Sequence, residues 1–103
     1  MTLAQLNTLL LTLHLPVAYD HFSEPTASPY IVYHFLNGNN FNADNKTYIK
    51  VNHIMVELYT ETKNTATEAL LEALLDDYVY VKSEDYLTDD NLFVIYYEIE
   101  SEE

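Results

Sequence analysis

Two stretches of this chain, Tyr30–Leu36 and Leu92–Ile99, are apolar or aromatic at all but one position each. A sheet covered from one side should alternate apolar and polar residues along its strands. Here Ile31, Tyr33 and Phe35 stand back to back with Tyr30, Val32 and Leu36. Likewise Phe93, Ile95, Tyr97 and Ile99 oppose Leu92, Val94 and Tyr96. The fold must therefore cover two sheet faces, or leave one to a partner.

The covering material is limited to two helices. Thr2 followed by Gln5 has capping-box spacing, and Leu3, Leu6, Leu10 and Leu13 make one helical stripe, so a helix is predicted over 2–14, ended by Pro16. Thr65 and Glu68 repeat that spacing, and Ala66, Leu70, Ala73 and Leu74, with Leu71 and Leu75 alongside, predict a second helix over 65–76. Val17–Phe22 has strand composition, 24–29 with Pro25 and Pro29 reads as a loop, and Tyr30–Leu36 is a strand. The segment Asn37–Asn45 holds the only glycine and five asparagines. It predicts a protruding hairpin loop with Phe41 near its tip.

Thr47–Thr60 predicts a long strand, bulged near Asn52 and His53 where polar residues interrupt the alternation. Tyr78–Lys82 and Leu92–Ile99 predict the last two strands, joined by an acidic loop with Glu84, Asp85, Asp89 and Asp90, and 100–103 reads as a frayed acidic tail. The order α-β-β-β-α-β-β predicts one α+β domain over 1–103. It is a two-layer sandwich whose mostly antiparallel or mixed sheet of about five strands carries both helices on one face.

Seventeen acids face four lysines and no arginine, giving a formal charge of −13, and ten of the acids lie beyond Leu75, where Lys82 is the one base. An intrinsically disordered acidic segment would lack the 49% hydrophobic content and the ten tyrosines of this chain. The charge argues against direct nucleic-acid binding, which depends on Lys and Arg neutralising phosphates. There is no cysteine for disulfide or thiol chemistry. The apolar run Leu9–Leu15 has no basic residue before it and is broken by Thr12 and His14, so it reads as a mature helix. No segment approaches the roughly 18 apolar residues of a membrane span.

Chemical signatures are missing as well. His14, His21, His34 and His53 form no i, i+4 pair of the helical zinc type, and no metal is expected. The pairs Asp76-Asp77, Glu84-Asp85 and Asp89-Asp90 read as solvated acids, and neither Asn40–Asp44 nor Asp89–Asn91 has the calcium-loop pattern with its distant glutamate. Ser23, Ser28, Ser83 and Ser101 lack a nucleophile-elbow context, and one glycine cannot make a phosphate loop. The expectation is a binding module without enzymatic activity or cofactor. Asn39, Asn40 and Phe41 are the expected loop contacts. About half of the tyrosines are expected in the core, and the rest read as interface anchors, with Tyr30, Tyr80 and Tyr96 the expected sheet-face contacts. Glu84, Asp85, Asp89 and Asp90 are expected to form an acidic surface.

The run LPVAYDHF, then PYIVYHFLNGNNFNADNKTYIKVNHIMVELYT, then NTATEALLEALL and a tyrosine-rich last strand resembles the tail terminator group of long-tailed bacteriophages and prophages, also called tail completion or tail-to-head joining proteins. The resemblance spans about residues 1–100 and carries no catalytic signature. It implies a virion structural protein, assembled in the bacterial host cytoplasm. The subunits would form a homo-oligomeric ring, commonly a hexamer, that caps the tail tube protein and receives head connector proteins. An acidic lumen in such a ring would let DNA pass without retaining its phosphates. The rival expectation is an acidic DNA mimic that inhibits a nuclease or restriction enzyme, which would need its acids spread along one elongated face.

Overall fold

The computed structural model describes the backbone of residues 1–43 and 47–102, and their side chains apart from 39–43, 47–50 and 102. Helix α1 (Leu3–Leu11) begins with the expected capping box. The Thr2 hydroxyl accepts the Gln5 N–H at 3.1 Å, and Gln5 Oε1 accepts the Thr2 N–H at 2.8 Å. Both donors would otherwise lack a partner within the helix. Leu6 and Leu10 are fully buried, with Leu3 and Leu13 packed beside them. The helix stops well before Pro16, at a Thr12 C-cap, and His14 then takes a left-handed φ of 59°.

Helix α2 (Thr65–Leu74) starts differently from expectation. Its N-cap is Asn64, whose side chain accepts the Thr67 N–H at 3.1 Å. Asn is as good a cap as Ser or Asp and better than Thr. Glu68, freed from the expected capping box with Thr65, turns inward and is only 4% exposed. The buried stripe is therefore Glu68, Leu71 and Leu75, while Ala66, Leu70 and Ala73 face solvent and Leu74 is half-buried. Leucines at 70, 71, 74 and 75 satisfy two adjacent helical stripes, and the inward one is set by the packing of the sheet.

The five strands are β1 (Val17–Tyr19), β2 (Tyr30–Ala43), β3 (Thr47–Thr60), β4 (Val79–Leu87) and β5 (Leu92–Glu102), in spatial order β1-β2-β3-β5-β4. β1 runs parallel to β2 and every other pairing is antiparallel, so the sheet is mixed and the fold is α+β with element order α-β-β-β-α-β-β. The pairs Ile31↔Leu58, Tyr33↔Val56, Ile54↔Ile99, Val56↔Tyr97 and Leu58↔Ile95 share one side and join Leu6, Leu10, Leu71 and Leu75 in a single core. Two hydrogen bonds tether the helices to that side: Tyr33 OH donates to Asn7 Oδ1 at 3.1 Å, and Tyr97 OH donates to Glu72 Oε2 at 2.8 Å. Both helices thus cover the same face.

Four expectations are corrected. First, the asparagine-rich segment is strand as far as Ala43: Gly38 pairs with Asn52 and has no positive φ, and Phe41 pairs with Ile49. Asparagine is a poor strand former, but a long β-branched and aromatic partner strand templates it. Second, the bulge lies on the opposite strand. Leu36 is the extra residue between Phe35↔Ile54 and Asn37↔His53, whereas β3 pairs with β5 without a register shift from Val51 to Thr60. Third, Glu84 and Asp85 belong to β4 and pair with Ile95 and Val94, leaving only Asp89 and Asp90 in the connecting turn. Fourth, Glu100–Glu102, expected in the tail, take strand positions and extend β5. Ser101 is buried and its hydroxyl donates to the Met1 carbonyl at 3.4 Å.

Candidate interaction surface

The face away from the helices is built by the other half of each strand's alternation. Tyr30 pairs with Tyr59 and Val32 with Glu57, and across the next ladder Tyr59 pairs with Val94 and Glu57 with Tyr96. Tyr30 and Tyr59 stack with centroids 4.9 Å apart and planes at 19°, and Phe22 meets Tyr30 edge-on at 5.3 Å and 84°. These rings, with the segment between β1 and β2, cover Val32 and Val94, which are buried without any helix above them. A groove of ≈ 490 Å³ opens here between Asp20–Thr26 on one side and Tyr30, Tyr59, Leu87 and Asp90 on the other.

Carboxylates rim the rings. Tyr59 OH donates to Glu57 Oε1, and Glu57 Oε2 lies 3.7 Å from His34 Nδ1. Burial, then the neighbouring charges of Asp90 and Glu57, push the Tyr30 hydroxyl above its ordinary pKa. Burial and the Glu57 hydrogen bond do the same, far more strongly, to Tyr59, and burial with Glu57 and Asp85 raises Tyr96. The rings are therefore neutral donors held among acids across the physiological range. Such a surface can accept donors and cations and bury aromatic area against a protein partner. Among the described residues no group of three or more His, Cys, Asp or Glu is placed to hold a metal ion.

The helix side carries a second charged cluster. Glu68 is bridged by Lys63 at 2.8 Å and Lys82 at 3.0 Å, Lys82 also binds Glu72 at 2.8 Å, and Lys63 continues to Glu84. Burial raises the Glu68 carboxyl, but the hydrogen bonds from Lys63 and Lys82 outweigh it and hold the group below the usual carboxylate range. The Lys82 hydrogen bond likewise lowers Glu72. This network fastens α2 to β4 and engages two of the four lysines in the chain.

The expected site residues separate accordingly. Tyr30 and Tyr96 lie on the open face, but Tyr80 pairs with Ile99 on the helix side, where its ring meets Tyr97 edge-on at 5.5 Å. Glu84 is engaged by Lys63 on the helix side, Asp85 pairs with Val94 on the open face, and Asp89 and Asp90 sit in the turn closed by Asn91 at a left-handed φ of 53°. The four acids do not form one array. Asn39, Asn40 and Phe41 take strand positions opposite Val51, Lys50 and Ile49, and their side chains lie outside the described residues. Tyr59, Glu57 and Phe22 were missed as members of the surface. The register that sets Tyr59 opposite Tyr30 is the signal that finds the first two. Phe22 has none, because a loop folding back over a sheet leaves no periodicity.

Fold and surface together define a small two-layer α+β protein with one closed face and one aromatic, acid-rimmed face. No protein-family model matches the sequence, nor does any curated protein. Among solved structures, a chain described as "Virion of native gene transfer agent (GTA) particle" is similar in fold, with a TM-score of 0.60 and 17% identity, over 90% of this chain and 82% of that one.

Proposed function

We propose that this chain is a structural protein of a phage-like virion. In the finer reading, it is a tail terminator that caps the tail tube and joins tail to head as a homo-oligomeric ring. The observation that carries the proposal is the likeness in fold, over nine-tenths of the chain, to a component of a gene transfer agent virion. The open face supports it. Neutral tyrosines that are held in place by stacking and hydrogen bonds suit a permanent protein contact better than a reaction. The net charge of −13 suits a ring through which DNA passes without being retained. Assembly would take place in the host cytoplasm, with the tail tube protein and head connector proteins as partners.

The DNA-mimic alternative gains no support. Glu84 is engaged by a lysine on one face, while Asp85 lies on the other face. The test is genetic and visual. Particles made without this chain should show tails of uncontrolled length or heads without tails by electron microscopy, and the wild-type chain should restore them. Phe41→Ser in the β2–β3 arm should fold yet fail to restore joining. Normal particles in the absence of the chain would end the proposal.

A further inference from the structure

The sheet has two free edges, and they differ in charge. On one side lies β4, nine residues long, with no strand beyond it among the described residues and with Val79 and Val81 68% and 67% exposed. On the other side, β1 covers β2 only from Ile31 to Tyr33, after which the Tyr19 hydroxyl accepts the Phe35 N–H. Beyond Phe35 the β2 backbone has, among the described residues, β3 alone for a neighbour as far as Ala43. Phe35 and Leu36, at the start of this free edge, are 44% and 37% exposed.

An unpaired edge that displays apolar side chains is a template for another strand. In a chain of charge −13 most strands would bring acids against Glu84 and Asp85 of β4. Residues 25–43 contain no Asp, Glu, Lys or Arg, and the other uncharged strand, β1, is only three residues long, so β2 is the long strand that meets β4 without like-charge repulsion. Direction agrees as well. Three successive antiparallel pairings, β2 with β3, β3 with β5 and β5 with β4, leave β4 running opposite to β2. A second copy that keeps its strands in the same sense therefore offers its β2 antiparallel to β4, the more stable pairing.

From this geometry we infer that the free edge of β4 binds the free edge of β2, beyond Phe35, in a second copy of the chain, so that the sheet continues from subunit to subunit. Because the two edges differ and lie on opposite sides of the sheet, the contact is head-to-tail, the kind that closes into rings. The inference rests on the ring reading above and specifies its interface.

The absence of native cysteine makes a direct test available. Val81→Cys and Asn37→Cys chains, each exposed at the substituted position, are treated with a bismaleimide in high salt to screen the charge. Each is tested alone and the two are tested mixed, with light scattering for mass and peptide mass spectrometry for the linkage. The expected result is a 37–81 conjugate in the mixture and no conjugate in either variant alone. Conjugation of Val81→Cys with itself would mean a twofold contact and overturn the inference. Oligomers seen by scattering without a 37–81 linkage would also overturn it, while leaving the virion reading intact. A chain that stays monomeric here and is also absent from purified particles would remove both.

Discussion

The two faces of the sheet start from similar strand sequences and end in different states. On the helix side, Ile31, Tyr33, Ile54, Val56, Leu58, Ile95, Tyr97 and Ile99 are sealed beneath Leu6, Leu10, Leu71 and Leu75. Among the described residues of the other side only Val32 and Val94 are comparably buried, and they are covered by tyrosine rings and by the segment carrying Phe22. A second helical layer is thus not the only way to finish a strand that is apolar on both sides. Tyrosine can shield a valine with its ring while its hydroxyl stays among carboxylates. One face accordingly supplies stability, and the other keeps aromatic area that a partner can use.

The largest effect that would break this contrast concerns the core. Leu10→Ala and Leu71→Ala should each destabilise the chain by about 2–5 kcal/mol, the usual range for truncating a buried leucine. Both are fully buried where the helices meet the sheet. Unchanged denaturation midpoints would mean that the helix side is not the core. The expectation that Leu74 anchors α2 is replaced by Leu71 and Leu75, since Leu74 is only half-buried.

The ion network is the next test of that side. Glu68→Gln should cost about 1.5–3 kcal/mol at neutral pH, the range for hydrogen bonds to charged groups. It is kept below the larger values for isolated buried pairs because Lys63 and Lys82 can rehydrate. The pH dependence has a definite sign. Glu68 and Glu72 have lowered pKa values in the fold, so their contribution is present above the unfolded carboxylate value of about 4.3 and disappears as pH falls through the folded values. Wild type and Glu68→Gln should converge in strong acid. The raised pKa values of Lys63, Lys82, Tyr30, Tyr59 and Tyr96 act at the other end. Their contribution is present below about pH 10 and is lost as pH rises through the folded values. Urea titrations across pH read both limbs, and a Glu68→Gln profile parallel to wild type in acid would remove the network from the account.

On the open face the effects should be smaller. Tyr59→Phe keeps the stack on Tyr30 and deletes the hydrogen bond to Glu57, for a loss of about 0.5–1.5 kcal/mol. A loss as large as the core variants show would make this face a second core.

What could be read in advance follows the same division. The α+β class, the element order, the α1 stripe and the division of β2 and β5 into two opposing apolar sets were legible, because periodicity and capping are local signals, whereas which set faces the helices is settled only by packing. The α2 cap, the Leu36 bulge and the strand state of 37–43 were not. Each is decided by a partner across the sheet or in the core, and propensity alone favoured the rival. The candidate surface was half legible. Tyr30 and Tyr96 were read as sheet-face contacts on apolar strands and are half-buried on the open face, whereas Glu57 and Tyr59 join them only through register, and Tyr80 is carried to the opposite side by the same register.

The smallest expected change in stability sharpens the contrast most. Val79 and Val81 project from the edge strand on the open side and touch little of their own chain, so Val79→Ser and Val81→Ser together should move the unfolding free energy by no more than about 0.5 kcal/mol per site, as for other surface substitutions. A monomer with an exposed apolar edge should even gain solubility from the change. If the edge is instead where a second copy pairs, self-association in high salt should fall sharply while the monomer's unfolding curve stays put, as sedimentation and denaturation on the same samples would record. Strong destabilisation of the monomer would instead make these valines part of the fold. The open side would then serve stability as the helix side does, and the contrast between the faces would lose its meaning.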